Sequence, residues 1–173
     1  MSDQFERDPR RKQELEGRPI ADKIYKDIFF DGIVIERDER QEGKILDIQH
    51  AIDVKIKLPN GLILNGQEKF LSETFAKFRS LTIEYKQNQF TGEGGDWYKL
   101  ASQFYFCGYF NKERTWFEPF VMVDWARVVI ETHLGRIVWL DNTNNDGRAR
   151  ASFRYCIMDA LPRNCIIASS LKN

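Results

Sequence analysis

The side chains that could do chemistry in this chain are an acid, an amide and an amine lying close together: Asp53, then Gln67 and Lys69 with one residue between them. Carboxylate and amide oxygens are the ligands that hard cations take, and an ammonium offsets negative charge as it develops on a reacting group. A second acid and amine at the same spacing, Glu84 and Lys86, follow downstream. His50, three residues before Asp53, has no partner at a ligand spacing and reads as structural.

A hairpin must position the first set. Residues 52–69, IDVKIKLPNGLILNGQEK, surround Pro59-Asn60-Gly61, which fits a three-residue loop: Pro and Asn take the central places of a type I turn and Gly the left-handed position after it. That loop predicts Leu58 opposite Leu62, Ile56 opposite Leu64, Lys55 opposite Asn65 and Asp53 opposite Gln67. Strand side chains alternate, so Ile52, Val54, Ile56, Leu58, Leu62 and Leu64 form an apolar face. Asp53, Lys55, Lys57, Asn65, Gln67 and Lys69 form the polar one. Slipping the register by one residue would mix Ile56 and Leu58 with Asn65, Gln67 and Lys69 and lose burial.

Around the hairpin the chain punctuates itself. Residues 1–17 are highly charged and include Arg10-Arg11-Lys12; they read as a solvated terminal segment, with a phosphate-touching arm as the alternative. Ile20, Ile24, Tyr25, Ile28 and Phe29 recur at helical spacing, with Pro19 and Asp22 suited to a first turn. Ile33-Val34-Ile35 and Ile45-Leu46-Asp47-Ile48 read as a strand and an approach to Asp53. Ser72 with Phe75 and Phe78 predicts a capped turn or short helix. Leu81, Ile83 and Tyr85 then alternate with Thr82, Glu84 and Lys86 as a strand. Residues 88–96 are a Gly-rich loop without the spacing of a phosphate cradle, closed by Asp96 as a cap. Trp97, Leu100, Ala101, Phe104 and Gly108 mark one stripe of a helix running to about Phe110, with Gln103 on its surface. From Thr115 onward the texture is β-rich, broken at Leu134-Gly135 and at 144–147. There Arg148, Arg150 and Arg154 alternate beside Phe153 and Tyr155, a mixture suited to phosphates and unstacked bases or to a charge-protected edge strand.

Composition narrows the class. The chain has 173 residues, 42% apolar, enough for one domain with a sizeable core. Lys+Arg and Asp+Glu number 26 each, so any phosphate-binding surface is a local patch rather than a global field. Cys107, Cys156 and Cys165 are odd in number and lack paired metal spacing, which argues against a zinc ribbon or disulfide framework and for a reducing compartment. No apolar run approaches the roughly 20 residues of a membrane span, and the first 17 residues lack the apolar region of a signal peptide. A soluble cytoplasmic protein without a membrane partner is expected.

An Asp on one strand followed after a turn by Gln-x-Lys on the next resembles the PD-(D/E)XK, or restriction-endonuclease-like, nuclease superfamily, and most nearly its Mrr-like variant pairing "ID" with "QxK". Here these are Ile52-Asp53 and Gln67-Glu68-Lys69, and the resemblance covers roughly residues 18 to 110. Ile rather than Pro precedes Asp53, and Gln67 is an amide where an acid is commoner. The resemblance implies an α+β or α/β fold with an α-β-hairpin-β-α core at 18–112, after a charged segment at 1–17 and before a β-rich part at 113–173. It implies DNA phosphodiester hydrolysis with Mg²⁺ or Mn²⁺. Asp53 and Gln67 would hold the ion, Lys69 would stabilise the transition state, and Glu84 would supply the missing carboxylate or, with Lys86, be the active motif itself. Asp22 would be the helix-borne acid. Lys55, Lys86, Arg148, Arg150 and Arg154 would meet DNA, and a homodimer is left open. The alternative is a catalytically inactive nuclease fold or a β-rich interaction protein.

Overall fold

All seven residues of the run FYFCGYF, Phe104–Phe110, are buried, and the rest of the fold is layered around the strand they form. The computed structural model describes residues 9–37, 50–88, 90–143 and 151–171. Its elements begin with helix α1 (Pro9–Ile28), strands β1 (Ile33–Arg37), β2 (Val54–Lys57) and β3 (Ile63–Leu71), and a 3-10 turn at Glu73–Phe78. Strands β4 (Ser80–Asn88) and β5 (Glu93–Gly94), a 3-10 turn at Asp96–Tyr98, β6 (Phe104–Phe110) and β7 (Phe117–Asp124) follow. Helix α2 (Trp125–His133), β8 (Leu140–Thr143), β9 (Ser152–Ile157) and β10 (Ile166–Ser169) complete the described chain. The expected mixed α and β class is what is found.

One sheet has six strands in the order β1-β2-β3-β6-β7-β10, and the other has four in the order β5-β4-β9-β8. Strand β6 runs parallel to β3 and antiparallel to β7, so it lies in the middle of the larger sheet. Alternate residues serve opposite cores. Phe104, Phe106 and Phe110 pack with Phe117, Phe120 and the α1 stripe Ile20, Ala21, Ile24 and Tyr25. Tyr105, Cys107 and Tyr109 pack with Leu81 and Ile83 of β4, Cys156 of β9, and Trp125 and Val128 of α2. A strand covered on both sides loses the polar–apolar alternation of a half-exposed one and becomes a continuous apolar run.

The hairpin takes the expected register, with Val54 facing Gly66, Lys55 facing Asn65, Ile56 facing Leu64 and Lys57 facing Ile63. Leu58 N donates to Leu62 O at 2.8 Å, and Gly61 sits at φ 85 as the loop requires. Ser72 caps the 3-10 turn by accepting from Thr74 N, and β4 buries Leu81 and Ile83 as its alternation predicts.

Three readings of the sequence are corrected. The stripe through Trp97, Leu100 and Phe104 is not a helix: a short 3-10 turn gives way to β6, with Trp97 and Leu100 in one core and Phe104 in the other. The 3.6-residue spacing was coincidental, and the unbroken aromatic run decides for a strand. Helix α1 begins at Pro9, so Pro19 lies inside it rather than in its first turn. Residues 9–17 are drawn into the helix by contacts the spacing does not show: Arg114 reaches Glu16 at 2.7 Å, and a Cβ on Gly17 would overlap the Phe70 ring. Within the β-rich C-terminal part, 125–133 is a helix, capped by Asp124 accepting from Arg127 N and buried through Trp125 and Val128. The stretch 45–48 lies outside the described residues.

Two substitutions test this layering. Phe104→Ala should lower stability by about 3–5 kcal/mol, the usual loss for a buried aromatic. Gly66 is where the Phe104 ring crosses β3, and an added Cβ would overlap it. Gly66→Ala should therefore cost about 1–3 kcal/mol by overpacking, and combining it with Phe104→Leu should recover part of that loss; urea unfolding midpoints measure all three.

Candidate active site

Asp53 stands just before β2, and its backbone N–H continues the ladder by donating to Gly66 O at 2.9 Å. Its side chain turns toward β3, where Oδ2 accepts from the backbone N–H of Glu68 at 3.0 Å. Asp53 is thus held directly against the Gln67-Glu68-Lys69 segment.

Glu68 points to the α1 side of the sheet. There its carboxylate receives both Nε and Nη2 of Arg37, at 3.1 and 2.9 Å, and the hydroxyl of Tyr25 at 2.8 Å. Asp22 of α1 completes the group, with Oδ1 2.6 Å from Arg37 Nη2. The side chains of Arg37 and Glu68 are only 10% and 7% exposed. Burial alone would pull the Arg37 pKa down, but Glu68 and Asp22 outweigh it and push it up. Desolvation, reinforced by Glu68, holds the Tyr25 phenol well above its ordinary value. Asp22 is therefore committed to Arg37 on the opposite face from Gln67 and Lys69, which removes it from the set of ligands expected at their site. Sequence reading passed over Arg37 and Glu68, and the usable signal was Glu68 itself, an acid at an apolar-face position of β3.

Gln67 and Lys69 project to the other side, toward the smaller sheet. They align in β3 with Tyr105 and Cys107 of β6. Gln67 is 6% exposed, and its Oε1 is buried without a hydrogen-bond partner. Thr82 Oγ1 of β4 is also buried and unpartnered. Lys69 Nζ lies 5.2 Å from the centre of the Phe153 ring on β9, and Phe153 is paired across strands with Glu84 of β4. Lys69 is thereby brought to the rung that carries Glu84. Burial raises the Cys107 thiol to about 12, against a lowering by hydrogen bonding to Thr82 and by the nearby Lys69 charge. Burial, with Cys107, Asp96 and Asp53 adding to it, holds the Tyr105 phenol far above its usual value.

Strand β4 shifts register between Glu84 and Lys86. That irregularity interrupts the alternation on which a Glu84-x-Lys86 motif would depend, and Lys86 Nζ instead lies 5.7 Å from the Tyr85 ring. Among the other expected DNA contacts, Lys55 is paired with Glu36 at 2.8 Å on the neighbouring strand. Arg154 stacks its guanidinium 3.7 Å from the Tyr85 ring centre and 4.8 Å from that of Trp97, while its Nε holds Asp141 at 2.9 Å. Arg148 and Arg150 lie outside the described residues. His50 uses its carbonyl to accept from Ala101 N. Gln103 is more than a surface residue: its Oε1 accepts from Asn65 N at 2.6 Å, stitching the strand-β6 entry to the hairpin.

Among the described residues no three His, Cys, Asp or Glu side chains cluster as a metal-holding group. Asp53 and Gln67 contribute two hard oxygens by residue type, and the orphaned Gln67 Oε1 suits a hard cation that takes oxygen ligands. Among the described residues no helix is long and apolar enough to cross a membrane. No protein-family model, curated protein or solved structure matches this chain.

Arg37→Ala would leave Glu68 buried without its counter-charge and should cost about 3–5 kcal/mol; a change in unfolding free energy below about 1 kcal/mol would show that the pair is solvated. The thiols give a second check. Cys107 and Cys156 are both raised to about 12 by burial, so at pH 8 they stay protonated. Since the thiolate is the reactive form, neither should react with a disulfide reagent in the native protein, and both should do so once guanidinium unfolds it.

Proposed function

We propose that this chain is a metal-dependent nuclease hydrolysing DNA phosphodiester bonds on a restriction-endonuclease-like core. The observation that carries the reading is the hairpin register, which sets Asp53 against Gln67-Glu68-Lys69 and leaves Gln67 Oε1 buried without a partner. The order of helix α1, strand β1, hairpin β2–β3 and strand β6 parallel to β3 supports the core in all but its closing helix. On this reading Asp53 and Gln67 would hold Mg²⁺ or Mn²⁺, and the bound ion would supply Lewis-acid polarisation and an activated water. Lys69 contributes a cation for the charge that develops on the phosphate. Glu84, paired across strands with the Phe153 that Lys69 contacts, would be the acid that joins them. Glu68 positions the group through its backbone N–H and its buried pairing with Arg37.

A second reading has its own support. The smaller sheet covers Gln67, and Lys69 lies against Phe153, as they would in a nuclease fold kept only for binding.

Cleavage of duplex, single-stranded and branched DNA, with Mg²⁺ or Mn²⁺ and then with EDTA, separates the two. Metal-dependent cutting should fall by about 10²–10³-fold in Lys69→Ala, the loss typical of one transition-state donor. Asp53→Asn is preferable to Asp53→Ala because it keeps an acceptor for Glu68 N–H while removing the charge; it should weaken Mg²⁺ binding and abolish cutting. Gln67→Glu should tighten Mg²⁺ binding by supplying an anionic oxygen. Wild-type protein that binds neither ion and cuts no DNA would leave the binding-only reading.

A further inference from the structure

Beside the candidate site, on the same side of the larger sheet, lies a cavity of about 220 Å³ lined by Trp97, Tyr98, Leu100, Trp125, Val128 and Val129, with Thr132 at its edge. Trp125 and Val128 are buried and form its floor, while Tyr98 and Val129 are 63% and 52% exposed at its mouth. Pockets for drug-sized ligands run to roughly 300–1,000 Å³, so this one has room for a single ring system and not for a whole nucleotide. Its walls are aromatic and set at an angle: the Trp97 and Trp125 rings are 6.4 Å apart at 88°.

Two features tie this cavity to a polyanion carrying rings. The first is charge at its rim. Arg154 lies against Tyr85 and Trp97 with its Nε on Asp141 and its other guanidinium nitrogens not in that pair, and Lys86 stands over the same Tyr85 ring, which in turn touches Tyr98 at 5.4 Å. Cations interleaved with aromatic faces are what unpaired nucleic-acid strands bind: the cations meet phosphates and the faces take bases. The second is continuity with the candidate site. Tyr105 meets Trp125 in the cavity floor at 5.8 Å, and it is paired across strands with Gln67. One residue therefore separates the two.

We infer that the Trp97–Trp125 cavity receives one unstacked nucleobase of a single strand whose backbone passes Lys86 and Arg154. The inference rests on the nuclease reading for its substrate class and adds the strand form and the residues that select it. A duplex keeps its bases stacked and presents only phosphates, so it gains the rim charges and not the cavity.

Because Trp97 and Trp125 line the cavity, intrinsic tryptophan fluorescence reports occupancy. The full chain, in EDTA so that no cutting occurs, is titrated with a ten-nucleotide oligothymidylate, with an abasic strand of the same length and charge, and with a blunt duplex. The expected result is saturable quenching by oligothymidylate with at least tenfold tighter binding than either control, in line with base stacking on aromatic side chains. Trp97→Ala should remove that advantage. Since Trp97 also packs against Trp139, the exposed Val129→Glu is the variant that spares the core, and it too should bring oligothymidylate down to the level of the abasic strand. Equal binding of oligothymidylate and abasic strand by the wild type, or an undiminished preference in Val129→Glu, would overturn the inference. The readout needs no metal, so the two ideas fail separately. Base-dependent binding by a chain that never cuts DNA would sink the catalytic reading alone, and metal-dependent cutting without base preference would sink the cavity alone.

Discussion

Strand β6 must stay dry on both faces, and that constraint shapes the layers around it. Its seven buried residues need apolar cover above and below. Helix α1 supplies one cover through Ile20, Ile24 and Tyr25, and the smaller sheet with α2 supplies the other through Leu81, Ile83, Trp125 and Val128. Polar groups on this strand are tolerated where they find partners at once. The Tyr105 hydroxyl donates to Thr82 O at 2.6 Å and the Tyr109 hydroxyl to Ser80 O at 2.7 Å. These bonds also fix how β4 lies across the larger sheet, because a buried hydroxyl left unpaired would cost about 1–3 kcal/mol.

Strand β3 pairs with β6 and inherits the same two environments without the same composition. Its alternation sends Gln67 and Lys69 to one side and Glu68 to the other, so a strand next to the driest part of the molecule carries two charges and an amide. Desolvating such groups is expensive unless each is met by a partner. On the α1 side the partners are charged: Glu68 accepts from Arg37 in a two-point grip and from Tyr25, and Asp22 pairs with the same Arg37. On the far side Gln67 Oε1 and Thr82 Oγ1 are buried without partners. The two faces of β3 thus differ in kind, with a charged network on one and a partnerless buried amide oxygen on the other.

Local chemistry made part of this legible. The loop Pro59-Asn60-Gly61 and the alternation around it determine the hairpin register, because turn geometry and burial agree there and a slip would violate both. The cap at Ser72 and the strand at Leu81 were equally local. What could not be read depended on distant partners. Residues 9–17 have charges but little apolar face, and they become helical through Arg114, 98 positions from Glu16, and Phe70, 57 positions from Gln13. Phe104 fits a helical stripe as well as a strand, and only its position between two cores distinguishes them. At the candidate site the shared face of Gln67 and Lys69 was legible, but its cover by a second sheet was not, because that sheet is assembled from β4 and β9, far apart in sequence. The Glu68–Arg37 pair escaped because a motif read as Gln-x-Lys treats its middle residue as filler.

The way Lys69 is held bears on what the seam can do. Arg37, Lys55, Arg79, Arg114 and Arg136 all meet carboxylates within 3 Å or so, and their charges are neutralised where they stand. Lys69 forms no ion pair among the described residues and rests against the face of Phe153. An aromatic face stabilises a cation by about 0.5–2 kcal/mol while accepting none of its N–H bonds in the way a carboxylate does. The ammonium thus keeps its charge and its three donors beside an amide oxygen that also lacks a partner. A carboxylate in place of Phe153 would bind Lys69 more tightly and remove both. The aromatic contact therefore orients the cation without a carboxylate partner.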